Sequence, residues 1–144
     1  MKGEDPSFWR VCDANLNRAR EGLRVCEEIA RFVLHKEDLT RQCQRLRYDL
    51  AALMRRFPQE RLLKGRNIRL DAGRPGKRGA PKSHAGYPDL LKANVRRVQE
   101  AFRVLEELAR LRSPETALSF SRLRFRAYDL EQDLLSRLPA LRHR

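Results

Sequence analysis

DANLNRAREGLRVCEEIAR, residues 13–31, and KANVRRVQEAFRVLEELAR, residues 92–110, read as two copies of one helical unit. At a constant offset of 79 they share 10 identities in 19 positions, among them Asn15/Asn94, Arg18/Arg97, Glu21/Glu100, Arg24/Arg103, Glu27/Glu106 and Glu28/Glu107. Internal self-similarity over such a length marks a duplicated supersecondary unit. Cys12, Leu16, Ala19, Leu23, Cys26, Ala30 and Val33 recur at steps of three and four, as do Leu91, Val95, Val98, Phe102, Leu105 and Ala109. That spacing gives each copy a narrow apolar seam of the kind helical bundles bury.

A second match, Arg45-Leu46-Arg47-Tyr48 with Arg122-Leu123-Arg124-Phe125, sits at an offset of 77 and supplies each copy with a second helix. The expected spans are about 36–57 and 114–138, the latter opened by Ser113-Pro114-Glu115, with proline preset for the first turn. The expected fold is all-α: one domain over residues 1–144, a bundle of two helical hairpins related by a pseudo-twofold. Repeat one covers about 9–57 and repeat two about 89–138, with the first helix of each at the centre. Residues 1–8 are expected to pack loosely. Between the copies, residues 64–88 hold five of the seven glycines and three of the seven prolines, without sustained periodicity. A connection that long is either functional or disordered.

The chain has 144 residues and a formal net charge of +13, and 26 of its 32 basic residues are Arg. Such a surface attracts anions, and the guanidinium fork grips phosphate or carboxylate in a way Lys does not. No run of 18 apolar residues is present, so no membrane span is expected. The start lacks the apolar region of a secretory signal, and a cytoplasmic location is expected. Cys12, Cys26 and Cys43 match no zinc or CxxC spacing and read as small core hydrophobes. His35, His84 and His143 show no ligand spacing either.

Arg18, Glu21, Arg24, Glu28 and Arg31, with Arg97, Glu100, Arg103, Glu107 and Arg110, stand three or four apart. They form either a solvated ion-pair ladder, at about 0.2–0.5 kcal/mol per pair, or a duplicated binding surface. Asn15/Asn94 and Arg18/Arg97 lie beside the seam, as a register-setting polar layer or as donors lining a pocket for a heterocycle or phosphate. The run Gly73–Gly79 lacks the spacing and the Ser or Thr of a phosphate-binding loop. It is either a linker or a basic clamp. Asp71 is the only carboxylate of the connecting loop before Asp89, a candidate for magnesium or a proton.

Both Asn-xx-Arg-xx-Glu-xx-Arg helices, together with Leu123-Arg124-Phe125-Arg126-Ala127-Tyr128-Asp129-Leu130-Glu131, resemble the helical domain that precedes the thiamine phosphate synthase barrel in fused enzymes. That domain is similar to the second, non-ribokinase type of hydroxymethylpyrimidine phosphate kinase. The resemblance covers about residues 8–138. The family pattern of an Arg-Asp followed by Asp-Val-Gly is met by Arg66-Asn67 and Asp71-Ala72-Gly73, with Asn67 in place of an acid.

The resemblance implies transfer of the ATP γ-phosphoryl group to a phosphorylated pyrimidine, with ATP and Mg²⁺ required. Together with the spacing it assigns Arg18, Arg97, Arg24 and Arg103 to phosphates, supported by Arg47 and Arg124. Asn15 and Asn94 would recognise the pyrimidine, and Glu21 and Glu100 would orient the arginines. Glu28, Glu107 or Asp71 would bind Mg²⁺, and the catalytic set is Arg24, Arg103, Glu28, Glu107 and Asp71.

Two other readings stand beside the kinase. One is a noncatalytic partner of thiamine phosphate synthase. The other is a basic nucleic-acid-binding protein, which sparse aromatic interleaving argues against. A homodimer is left open.

Overall fold

In the computed structural model, which describes residues 5–73 and 82–138, the chain is an all-α bundle. Its elements are α1 (Pro6–Phe32), α2 (Glu37–Met54), α3 (Gln59–Gly65), a 3₁₀ turn (Ile68–Leu70), α4 (Tyr87–Ala109) and α5 (Pro114–Ser136). α1 packs against α2, α3 and α4, and α5 against α4 and α2. The four long helices thus enclose one core, with α1 and α4 in direct contact across it.

The ends follow local chemistry. The Asp5 side chain accepts from the Ser7 N–H at 3.0 Å, and Pro6 occupies the first turn of α1. α1 terminates just before His35, whose φ of 54° lies in the left-handed region. Ser113 caps α5, its Oγ accepting from the Thr116 N–H at 3.2 Å, as the Ser-Pro-Glu string predicts.

Every seam position named from the sequence is buried except Val33, which is half-buried. The largest fully enclosed side chains include Phe102, Phe120, Leu16, Leu23 and Leu50. Each contributes roughly 1.5–3 kcal/mol by leaving water. All three cysteines are buried free thiols. Burial raises Cys12 and Cys26 to about 12, and raises Cys43 further still.

One expectation needs correction. Phe8, assigned to a loosely packed leader, is buried with Trp9, because α1 begins at Pro6 and its first turn caps the core. The connection is ordered at both ends. Helix α3 reaches into it as far as Gly65, and α4 starts at Tyr87. Much of the Gly73–Gly79 run, including Lys77 and Arg78, lies outside the described residues.

α1 and α4 meet at Gly22. A Cβ there would lie 2.7 Å from Val98 Cγ2 and 3.1 Å from the Asn94 carbonyl oxygen. Only glycine lets the two backbones come this close. The approach sets Glu21, next to Gly22 on α1, near the turn of α4 that carries Asn94.

No helix among the described residues is long and apolar enough to cross a membrane.

Candidate functional site

α3 and the 3₁₀ turn fold back over the N-terminal half of α1, held by one ion pair. Arg66 Nε donates to Asp13 Oδ2 at 2.9 Å, and Arg66 Nη2 donates to Asp13 Oδ1 at 2.8 Å. This is the two-pronged guanidinium–carboxylate geometry, stronger than a single charged contact. Asp13 is largely buried, and its carboxylate holds the Arg66 guanidinium above its ordinary pKa. Asn17 Nδ2 donates to Asp13 Oδ1 at 3.1 Å, and Arg10 Nη2 reaches the Asn67 carbonyl at 3.4 Å. Gly65 sits tight against α1, where a Cβ would lie 3.1 Å from the Pro6 carbonyl oxygen.

Between these elements opens a polar cleft of about 700 Å³, bordered by Arg10, Asp13, Asn15, Arg20, Glu21 and Asp71, among others. The size suits a nucleotide-sized guest. Arg18 adjoins it, donating through Nη1 to Asn15 Oδ1 at 3.0 Å while Asn15 Nδ2 donates to the Val11 carbonyl at 2.9 Å. That bond fixes the Asn15 amide orientation and holds the Arg18 guanidinium beside it.

Of the residues singled out from the sequence, Asn15, Glu21 and Asp71 line this cleft and Arg18 flanks it. On α4, Asn94 repeats the Asn15 bond, donating to the Leu90 carbonyl at 2.9 Å, while Arg97 and Glu100 are exposed.

The remaining candidates form two matched ion-pair groups that are not part of the cleft lining. In the first, buried Glu27 accepts from Arg47 Nε at 2.9 Å and pairs with Arg24 at 3.5 Å, and Arg24 also meets Glu28 at 3.3 Å. In the second, buried Glu106 accepts from Arg124 Nε at 3.1 Å and pairs with Arg103 at 3.2 Å, and Arg103 meets Glu107 at 3.3 Å. Arg47 and Arg124 are both held above their ordinary pKa. For Arg47 the Glu27 hydrogen bond is the main cause; for Arg124 it is the Tyr128 hydroxyl, with Glu106 next. Both guanidiniums also lie over the adjacent ring, Arg47 over Tyr48 at 5.0 Å and Arg124 over Phe125 at 4.9 Å. These groups tie each hairpin together. A carboxylate as buried as Glu27, 2% exposed, requires such partners.

Sequence reading passed over Arg10, Asp13, Asn17 and Arg20 as site residues, and Glu27 and Glu106 as the acids at the centre of the ladders. A signal for Asp13 was present: at the offset of 79 its counterpart is Lys92, a charge reversal beside an otherwise matched motif.

The ThiD2 family model matches residues 10–133, nearly the whole described chain. The chain belongs to the ThiD2 family. Its relatives include proteins named thiamine-phosphate synthase: from Synechocystis sp., 42% identical over 126 residues, 88% of this chain and 36% of the relative; from Rhodopirellula baltica, 34% identical over 141 residues, 98% and 38%; and from Gloeobacter violaceus, 38% identical over 144 residues, 96% and 41%. This ThiD2 chain therefore spans about two fifths of the length of the curated relatives it matches. No solved structure matches it significantly.

For Mg²⁺, which is commonly held by one or two carboxylates plus substrate phosphates, Asp71 and Glu21 fit, since both line the cleft. Glu28 and Glu107 fit less well: each faces an arginine on its own helix, outside the cleft. Among the described residues no cluster of three or more His, Cys, Asp and Glu side chains is arranged for a metal.

Proposed function

We propose that this ThiD2 chain acts in thiamine biosynthesis as an ATP-dependent kinase of 4-amino-5-hydroxymethyl-2-methylpyrimidine phosphate, and that the reaction takes place in the cleft of the first repeat. The observation that carries this reading is the gathering of Asn15, Glu21 and Asp71 around one polar cleft. Arg10 and Arg20 stand on its walls and Arg18 beside it.

Both substrates are polyanions, so the protein's task is positioning and charge neutralisation rather than covalent chemistry. An oxygen of the pyrimidine's phosphate attacks the γ-phosphorus of ATP, the bond from that phosphorus to the β,γ-bridging oxygen breaks, and ADP leaves. The acceptor oxygen is already ionised near neutral pH, so no side chain has to remove a proton. Arg10, Arg18 and Arg20 hold the phosphates in line, and the Asn15 amide sets the register of the pyrimidine. Asp71 and Glu21 would hold Mg²⁺, which when bound neutralises the β- and γ-phosphate oxygens. The Asp13–Arg66 pair keeps the segment carrying Asp71 over the cleft.

Lys92 replaces Asp13 in the second repeat, so the second helix pair has no equivalent anchor. Arg24, Arg103, Arg47 and Arg124 are committed to Glu27 and Glu106, which favours a structural part for them. The test is incubation with Mg-ATP and the pyrimidine monophosphate, followed by ³¹P NMR. A pyrophosphate ester and ADP in equal amounts are expected. Their absence where a control kinase turns over would overturn the assignment.

A second reading, a noncatalytic partner of thiamine-phosphate synthase, is favoured by the partial span of relatives bearing that name. Co-elution with a synthase without any turnover would select it.

A further inference from the structure

A second concavity lies at the end of the bundle where α1 and α5 begin and α2 and α4 finish. It measures about 250 Å³. Its walls are apolar, built by Phe8, Cys12, Leu53, Phe57 and Leu105, and Arg56 and Arg112 stand at it. The Arg112 Cζ lies 4.8 Å from the Trp9 ring and 5.4 Å from the Phe8 ring, a stacked pose that fixes the guanidinium there. Among the described residues neither Arg56 nor Arg112 has a carboxylate partner.

The duplication supplies an internal control for this cavity. At the offset of 79 Cys12 corresponds to Leu91, and at the offset of 77 Thr116, also in the cavity lining, corresponds to Leu39. Leu91 and Leu39 are 0% and 1% exposed, and they fill the opposite end of the bundle. Protein interiors close such spaces by default. Leu105, also in the lining, corresponds to Cys26, so this end gains one leucine where it loses two to a thiol and a hydroxyl; the net loss leaves an apolar hollow beside Arg56 and Arg112.

We propose that this hollow is a binding site, separate from the polar cleft, for a small aromatic anion: a flat apolar ring in the cavity and a phosphate or carboxylate between Arg56 and Arg112. A mostly apolar pocket with a few polar groups at one side selects that combination over either half alone, and guanidiniums bind both anions through paired hydrogen bonds. Phe8 and Cys12 face inward from the helix whose outward side carries Arg10, so the two sites share a wall without sharing a ligand.

Trp9, the only tryptophan in the chain, is the reporter. Its ring centroid lies 6.5 Å from that of Phe57 on the cavity wall. Phenyl phosphate and benzoate are titrated against the full chain by fluorescence and calorimetry, with inorganic phosphate and benzyl alcohol as the two separated halves. Saturable binding of at least one aromatic anion is expected, with each half weaker by about tenfold or more. Whichever aromatic anion binds more tightly identifies the charged group. Thr116→Leu, copying the filled end, should abolish the binding, and Arg56→Gln on the exposed rim should weaken it about tenfold. Three outcomes would overturn the proposal: no saturable signal by either method, inorganic phosphate binding as tightly as phenyl phosphate, or binding untouched in both variants.

Discussion

Arg66 grips Asp13 through two hydrogen bonds of 2.9 and 2.8 Å, joining the segment after α2 to the first long helix across 53 residues of sequence. It is the contact that gives the polar cleft its second wall. Asp13→Asn keeps the shape but removes the charge, so the segment carrying Asp71 should loosen while the bundle stays folded. Global stability is expected to fall by only about 1 kcal/mol, since Arg66 is partly exposed. Turnover in the kinase assay should fall by about tenfold or more, the scale of a charge-assisted bond to a positioned group. Urea unfolding and kcat together check the split; a loss of stability with unchanged kcat would make the pair merely structural.

The Glu27–Arg47 and Glu106–Arg124 pairs test the opposite case. Arg47→Ala leaves a buried carboxylate with only Arg24 nearby and should cost about 2–4 kcal/mol in urea unfolding. Arg124→Ala should behave alike. Replacing both members, Glu27→Leu with Arg47→Leu, should recover most of that loss, because burying the charges offsets much of their attraction.

At the α1–α4 crossing, Gly22→Ala should destabilise the bundle by about 1–3 kcal/mol through overpacking, despite a helix-propensity gain of up to about 1 kcal/mol. Adding Val98→Ala removes the 2.7 Å contact and should restore part of the loss, while the Asn94 carbonyl at 3.1 Å remains in the way. Denaturation midpoints of the four proteins in this cycle measure the coupling.

The buried thiols give the fold an alkaline limit. Their ordinary value is 9.0, and Cys12 and Cys26 are raised to about 12 in the folded chain. Between those values the unfolded chain has lost thiol protons that the folded chain keeps. The thiols' contribution to stability is therefore complete below pH 9 and declines as pH rises toward 12. The melting temperature should drop across that window, and Cys26→Ala should flatten the drop relative to its own value at pH 8. Ellman's reagent at pH 8 should reach Cys26 and Cys43, both fully enclosed, only after denaturant is added.

Much of the fold was legible because periodicity reports burial directly. The seam from Cys12 to Ala30, its partner from Leu91 to Ala109, and the Ser113 cap all stand where the spacing put them. Helix α3 was missed because its seven residues offer only Leu62 as a buried apolar position. Phe8 belongs to the core because Pro6, preset for a first turn, opens α1 ahead of it. Of the residues lining the cleft, Asn15, Glu21 and Asp71 stand out in the sequence by residue type and position. The anchoring role of Asp13 does not, since its partner lies 53 residues away and depends on how α3 folds back. The ladders misled for a related reason. Position three or four along a helix names a neighbour, and the acid that matters, Glu27, is the one turned toward α2.

Central to this account is the claim that phosphorylated ligands are handled on the cleft side of α1 and not by the ion-pair groups. The most direct measurement is kcat/KM for the pyrimidine monophosphate with Mg-ATP in two variants: Arg20→Gln in the cleft and Arg103→Gln in the second ladder. The cleft variant should lose about a hundredfold, as expected for removing a charge that stabilises the transferring phosphoryl group, and the ladder variant less than about threefold, the scale of an exposed ion pair. An unaffected Arg20→Gln beside a crippled Arg103→Gln would contradict it and move the chemistry to the second repeat.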